Sequence, residues 1–199
     1  MANRVFLALT YADDPESAYD DDAIVAAANY MLPILWCAAF APDDIAWRTV
    51  AADDDDNDTI PQTYPILLAA TDVVRRRARD RRDLFFRAFP PTLEGVYADW
   101  LALLDGVDAP YLLVDTVDVW GMGAPDAFAA DLSACVATFE NDDPRYWSAL
   151  LGQANITWDP IVKRMAFDDA AMPILLRGYE WFRPVPWAEP WDEEDKPER

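Results

Sequence analysis

The stretch Ala23–Pro42 reads AIVAAANYMLPILWCAAFAP, and it contains no charged side chain although 27% of the chain is charged. Charge stops at Asp22 and resumes at Asp43. Such a run in an acidic chain predicts the centre of the hydrophobic core, because burying a charge there would be costly. Because proline disfavours helix continuation, Pro33 predicts the end or a kink of a buried helix, followed by a buried strand or a second short helix.

A membrane-spanning helix is the alternative for this run, because about 20 residues suffice to cross a bilayer. However, Asn29 and Pro33 lie near its middle, and seven of its residues are alanine. Its flanks, Asp20–Asp22 and Asp43–Asp44, are acidic and lack the Lys/Arg bias that orients a span. We therefore predict a core segment whose helix has Asp20–Asp22 at its N-terminus, where negative charge suits the helix dipole.

Length and composition predict a single α+β domain, mostly helical with a small β-sheet, at residues 1–183 of the 199. The hydrophobic fraction of 53% is too high for a disordered chain. Residues 184–199 differ, since they are rich in proline, tryptophan and acids. We expect this segment either to lie extended across the domain with its tryptophans docked or to form a flexible tail.

The formal net charge is −21, from 37 acidic and 16 basic residues. A charge of this sign repels nucleic acid and anionic membrane surfaces, and it attracts basic proteins. We therefore predict a basic protein as the partner, and neither a nucleic acid nor a membrane.

The absence of histidine limits the chemistry of the chain. It excludes Ser-His-Asp and Cys-His catalysis and histidine-ligated zinc, while carboxylate chemistry remains open. Cys37 and Cys135 lie 98 positions apart (135 − 37) among apolar neighbours, which predicts two buried free thiols and no disulfide. With no signal peptide recognised, we predict a cytoplasmic protein without a metal or a cofactor.

Sequence patterns predict the remaining elements. Strands are expected at residues 5–10, 45–51 and 111–120, helices at 92–104, 124–139 and 144–152, and further core elements at 161–167 and 173–182. Thr92 is a candidate N-cap, and Gly106 is expected to stop that helix. Along the strand at 111–120, Asp115 and Asp118 point to opposite faces, so they form no ready-made carboxylate pair.

Seven arginines fall within Tyr64–Phe89, which we predict to be one long helix ending before Pro90. With three aspartates the segment carries +4 (7 − 3), so the remainder of the chain carries −25 (−21 − 4). A basic helix can bind nucleic acid, but here no aromatic stacking platforms are interleaved and the remainder repels phosphate. We predict that the arginines pair with carboxylates inside the fold, so that charge reversal at Arg76 and Arg79 lowers stability.

The densest negative charge lies at Asp53–Asp56 and Asp58. Alternate aspartates of this loop match the start of a calcium loop, but the positions that need Gly and Glu hold Thr59 and Pro65. Two interpretations remain open. The loop is either a solvated connection or part of a contact surface for a basic partner.

The opening MANRVFLALT, the acidic insert and the apolar PILWCAAF resemble a group of bacterial proteins that begin Met-Ala-Asn-Arg followed by an aromatic and apolar strand. Some of these look like members of polymorphic-toxin immunity neighbourhoods. The resemblance covers about the first forty residues and brings no catalytic residues with it. It implies a cytosolic bacterial protein that binds and neutralises a toxin.

The charge supports the same hypothesis, because toxins that act on nucleic acids or nucleotides need electropositive sites, to which an acidic inhibitor is steered. We predict such an immunity protein, not an enzyme. The candidate contact residues are Asp53, Asp54, Asp55, Asp56, Asp58, Trp187 and Trp191. Two alternatives remain: a hydrolase that uses Asp115, Asp118 or Glu94 in a cleft, and a structural or adaptor subunit.

Overall fold

The structure, a computed structural model, describes residues 4–17, 19, 23–29, 31–50, 62–122, 124–140, 172–180 and 185–187. Its strands are β1 Arg4–Thr10, β2 Ile24–Asn29, β3 Ile45–Val50, β4 Gln62–Ala70, β5 Tyr111–Asp115 and β6 Tyr179–Glu180. Its helices are α1 Ile34–Ala39, α2 Thr71–Asp80, α3 Arg82–Ala88, α4 Glu94–Gly106, α5 Val117–Trp120, α6 Pro125–Thr138 and α7 Met172–Arg177. Two 3₁₀ turns, Pro42–Asp44 and Pro91–Leu93, precede β3 and α4. The predicted α+β class is confirmed.

The six strands form one antiparallel sheet in the order β3-β4-β5-β1-β2-β6. β1 lies inside the sheet, with β5 on one side and β2 on the other. Consecutive residues Leu7, Ala8 and Leu9 are all buried. Since neighbouring side chains of a strand point to opposite faces, both faces of the sheet are covered at its centre.

A helical layer completes the core. The helices α2 and α7 each contact both α1 and α4, while α5 contacts β1 and β4, and α6 contacts β4 and α1. Large side chains fill the layer: Trp36, Trp100, Tyr97 and Phe85 are almost completely buried. Aromatic packing is close, with 4.5 Å between the ring centroids of Phe85 and Tyr97.

The uncharged run Ala23–Pro42 is core, as its composition predicts, but the order of its two elements is the reverse of the predicted one. β2 comes first, buried except at Asn29, and the fully buried α1 follows. Pro33 begins the helix as its N-cap and does not end one, because a missing N–H costs nothing at a helix start. Strand pairing with β1 and β6 overrides the helical preference of the alanines in β2.

The prediction of one helix over Tyr64–Phe89 is wrong. Residues up to Ala70 belong to β4, and the rest divides into α2 and α3 at Arg81. Pro65 is compatible with the strand because β4 pairs with β5 only from Leu67 onward, so the missing N–H interrupts no hydrogen bond with that neighbour. Its carbonyl accepts a hydrogen bond from Thr116 Oγ1.

The prediction of one strand over 111–120 is half right. β5 ends at Asp115, and α5 begins two residues later. Asp115 Oδ1 accepts a hydrogen bond from the Val117 N–H at 3.1 Å, which turns the chain out of the sheet. Asp115 and Asp118 therefore lie on different elements and not on opposite faces of one strand.

Other predicted elements agree more closely. The strands at 5–10 and 45–51 correspond to β1 and β3, and the helices at 92–104 and 124–139 correspond to α4 and α6. Thr92 is not an N-cap, because it lies in a 3₁₀ turn and Leu93 occupies the cap position without a side-chain hydrogen bond. The segment predicted at 173–182 contains α7 and β6.

Some predicted features lie outside the described residues: Asp20–Asp22, the acidic loop, and the elements at 144–152 and 161–167. A strand, β2, is the first described element after Asp20–Asp22, so the helix predicted to begin there is replaced. The division at residue 183 stays a prediction. Across the described ranges, no helix has both the length and the apolarity to cross a membrane.

Candidate functional site

A buried polar cluster forms around Asp115, which is 5% exposed. Its Oδ2 accepts hydrogen bonds from Arg48 Nη1 at 3.1 Å and from the hydroxyl groups of Tyr19 at 2.9 Å and Tyr64 at 3.4 Å. Arg48 and Tyr64 are cross-strand partners on β3 and β4, and Asp115 ends β5. Two neighbouring strands and the loop residue Tyr19 therefore direct their donors at one carboxylate on β5, which leaves it paired and hydrogen-bonded inside the fold.

The Asp115 cluster also holds Ser17 and Tyr19, which precede β2, on the sheet. Tyr19 donates to Asp115, its ring lies 5.3 Å from the Arg48 guanidinium carbon, and Arg48 Nη2 donates to the Ser17 carbonyl at 3.2 Å. Burial raises the pKa of Tyr19 and of Tyr64 well above the ordinary value, and the Asp115 charge adds to both shifts. Both hydroxyl groups therefore remain protonated donors at neutral pH.

The outer edge of β3 is open along part of its length. In the antiparallel pairing of β3 with β4, Trp47 is opposite Pro65, which has no N–H to give. Two residues further, the Thr49 N–H points away from β4, because it donates to the Glu16 carboxylate at 3.1 Å. Backbone directions repeat every second residue, so the N–H and carbonyl of Trp47 also point outward. Among the described residues, neither group has a partner.

Both ends of this edge are closed by hydrogen bonds. The Ile45 N–H donates to the Pro42 carbonyl, and the Glu16 carboxylate accepts from both the N–H and the hydroxyl of Thr49. Trp47 lies between them with its side chain 51% exposed. Four exposed acids flank this edge on the loop and turn beside it: Asp13, Asp14, Glu16 and Asp43.

The arginines of α2 and α3 are largely used within the fold. Arg77 pairs with Asp44, Arg79 with Asp105 and, more loosely at 3.8 Å, Arg82 with Glu94. Pairing of the arginines with carboxylates is therefore found for three of the seven.

Two further arginines bind backbone carbonyls, which the sequence analysis missed. Arg75 donates to Leu104 and Val107 at the C-terminal end of α4, and Arg81 donates to Ala38 and Phe40 at the end of α1. A cation at a helix C-terminus satisfies unpaired carbonyls and suits the dipole. Burial lowers the pKa of Arg81, and the neighbouring Arg77 charge lowers it further.

A cavity of about 450 Å³ lies between β1, β2 and the C-terminal end of α4. In the strand order of the sheet, β1 and β2 are separated from β3 by β4 and β5. Two residues of the C-terminal segment, Val185 and Pro186, contribute to its lining. Its lining is Leu9, Val25, Ala102, Leu103, Gly106, Val107, Val185 and Pro186. None of these side chains titrates, so the cavity offers no general acid, base or nucleophile from its own lining.

The carboxylates of the hydrolase alternative are dispersed. Asp115 is held in its buried cluster, Asp118 Oδ2 accepts from the Arg4 N–H at 3.1 Å, and Glu94 is exposed beside Arg82. Each acid has a different set of partners. Within the described ranges, no group of three His, Cys, Asp or Glu side chains is arranged to hold a metal ion.

The structure describes one of the predicted partner-binding residues. Trp187 packs against the core with its ring 4.6 Å from the Arg177 guanidinium carbon, so this part of the C-terminal segment is docked. Asp53–Asp56, Asp58 and Trp191 lie outside the described residues, and their contact role stays a prediction.

Cys37 and Cys135 are buried and free, as predicted, but they are not isolated from each other. They lie on the contacting helices α1 and α6. A hydrogen bond with Cys135, together with burial, raises the pKa of the Cys37 thiol, which reduces its reactivity.

The pattern at 45–51 predicts a strand but gives no reason to connect Arg48 with Asp115, 67 positions away. The available signal was the single arginine inside an apolar strand, which requires a buried partner. Comparison of the chain with protein-family models, with curated proteins and with solved structures finds no match.

Proposed function

We propose that this protein is an acidic binding protein that neutralises a cognate toxin by covering a basic site at which the toxin handles nucleic acid or nucleotides. The observation that supports this proposal is the unequal use of charge. Arg48, Arg75, Arg77 and Arg81 are directed at internal acceptors. The described acids Asp13, Asp14, Glu16, Asp43 and Asp108, by contrast, are exposed, in a chain whose net charge is −21.

Surface charge of this kind acts mainly on the rate of association. It attracts a basic partner over distances comparable with the Debye length, about 8–10 Å at physiological salt. Affinity must then come from a buried anchor, which is usually an aromatic or arginine side chain. Trp47 is the exposed aromatic that the described sheet offers for this role.

The experiment begins with affinity capture from the native host and purification of any basic protein retained. The activity of that protein on a nucleic acid or nucleotide is then titrated with the chain. We expect activity to fall to zero at a fixed stoichiometry. An unrelated protein of similar net charge is the control for charge alone, and unchanged activity at saturating concentration would contradict the proposal.

The acidic loop allows a second measurement with the same partner. Replacing Asp53–Asp56 and Asp58 with asparagine removes five charges. We expect slower association with a flatter salt dependence, while dissociation remains nearly constant. If neither the substitutions nor the salt concentration changes the association rate, the loop is only a solvated connection.

A further inference from the structure

We propose that the outer edge of β3 is a strand-addition site, at which an extended basic segment of the partner protein pairs with the backbone of Trp47. This inference rests on the proposed function, since it names the surface that the partner uses. It is carried by three features of the edge: a pair of backbone groups that no described residue satisfies, an exposed aromatic side chain and a surrounding excess of acids.

The backbone groups specify the type of pairing. The outward N–H and carbonyl of Trp47 belong to one residue, and a residue of an added antiparallel strand can exchange two hydrogen bonds with such a position. The neighbouring outward N–H groups are already occupied, at Ile45 by Pro42 and at Thr49 by Glu16. The open part of the edge is therefore short and has a defined register.

The Trp47 side chain provides the anchor. It is 51% exposed, although the strand that carries it is fixed from its other face by the buried Arg48–Asp115 pair. A large aromatic side chain on a rigid strand loses little conformational freedom on binding. Burial of its remaining exposed surface is typical of the few residues that dominate an interface.

The charge of the edge determines which kind of strand can bind there. Asp13, Asp14, Glu16 and Asp43 are exposed around it, and Arg48 is directed inward. A strand that carries lysine or arginine is therefore attracted to the edge. A second copy of this chain would bring another net charge of −21 to it and would be repelled.

Glu16 gives the site a way to respond to its ligand. Its carboxylate accepts the hydrogen bond of the outward Thr49 N–H, which a carbonyl of a neighbouring strand would otherwise accept. A carbonyl of the incoming strand can replace it there, and the released carboxylate can pair with a basic side chain of the same strand. The exchange keeps the Thr49 N–H paired, and the exposed Thr49 hydroxyl, which also donates to Glu16, is left to solvent.

The test uses the full chain and an acetylated, amidated octapeptide of alternating lysine and valine as the probe. Binding is measured by calorimetry and by hydrogen exchange of the Trp47 amide. We expect millimolar or tighter affinity, slower exchange of that amide, and at least about tenfold weaker binding by Trp47→Ala. Tyr11→Ala is the matched control, because Tyr11 is 75% exposed on the adjacent loop, and it should stay within about twofold of the original affinity.

Modified peptides separate strand pairing from simple attraction. Glutamate in place of lysine should abolish binding. Two further peptides carry methyl groups on alternate backbone nitrogens, one on the odd and one on the even positions. Binding should weaken about tenfold in the one whose methyl groups block the N–H groups that pair with Trp47. Equal binding by both methylated peptides, an unaffected Trp47→Ala variant, or no binding at millimolar concentration would each overturn the proposal. If a toxin is neutralised equally well by Trp47→Ala, this inference fails alone; if the peptide binds but no captured basic protein is inhibited, the proposed function fails alone.

Discussion

The two edges of the sheet are built differently. β3 presents six residues with Trp47 exposed, and a buried ion pair between Arg48 and Asp115 fixes the strand from within. The described edge at β6 consists of two residues, packed closely on the core at Gly178. Short edge strands discourage pairing with other chains, whereas long ones invite it. Exposure alone therefore does not leave an edge open to pairing, because the length of the strand and its support from within matter as well.

The largest effect should come from removing the support of β3. Asp115→Ala leaves the Arg48 guanidinium, on a side chain only 14% exposed, without its carboxylate, so we expect a loss of ~3–5 kcal/mol in the free energy of unfolding, measured in urea. Asp108→Ala is the control, because that acid is exposed and its loss should change stability by about 0.5 kcal/mol or less.

A double variant sharpens this prediction. Adding Arg48→Met to Asp115→Ala removes the unpaired charge, so the double variant should lose less stability than the sum of the single losses. Additive losses would show that the two side chains do not stabilise β3 as a pair.

At the β6 edge the corresponding test is Gly178→Ala. Gly178 has φ +74°, and a Cβ there would lie 2.6 Å from the Ala27 carbonyl oxygen and 2.8 Å from the Trp36 ring. We expect a loss of about 1–3 kcal/mol from backbone strain, with an additional steric cost.

Gly95→Ala provides the control for that substitution. Apart from its chain neighbours and the backbone of its own helix, nothing lies within 4 Å of the added Cβ, and the residue is in α4. Alanine should therefore stabilise the protein by about 0.5–1 kcal/mol. If both glycine variants had the same effect, close packing would not explain the β6 edge.

The segment between β2 and β3 connects the two halves of the sheet, and Arg81 holds it. Arg81→Met removes the donors to the Ala38 and Phe40 carbonyls at the end of α1. We expect a loss of about 1–3 kcal/mol in urea unfolding. Arg87→Met is the control, because the described structure gives that exposed arginine no partner, and an equal loss in both variants would contradict this role.

The smallest effect should appear at high pH. The pKa values of Tyr19 and Tyr64 are raised in the folded state, so above pH ~10 the unfolded chain releases these protons while the folded chain retains them. The stability contributed by these protons is present below pH ~10 and falls as the pH rises. The free energy of unfolding should therefore decrease less steeply above this pH in the Tyr19→Phe, Tyr64→Phe double variant than in the original protein.

Some features could be predicted from the sequence because they depend only on the residues of a single segment. The absence of charge from Ala23 to Pro42 predicts that this run is buried, as it is. The residues at 124–139 predict a helix, which corresponds to α6. The order of strand and helix in that run depends on the backbone partners that β1 and β6 supply, and no local pattern contains that information.

The candidate site was less accessible to prediction. Asp115 was identified as a candidate acid, but its partners come from β3, β4 and a loop, all distant in sequence. The same limitation applies to the arginines of α2 and α3. Their number predicts internal neutralisation, whereas only the packed helices determine that Arg75 and Arg81 bind carbonyls and not carboxylates.

The position of β1 inside the sheet has a consequence for how the chain folds. Thr10 pairs with Tyr111, a separation of 101 residues (111 − 10), so this pairing must close a long loop. During synthesis at about 5–20 residues per second, β1 waits roughly 5–20 s before β5 is made. Until then its apolar side chains lack one neighbouring strand, and the nascent chain depends on β2 and on its own high negative charge to avoid aggregation.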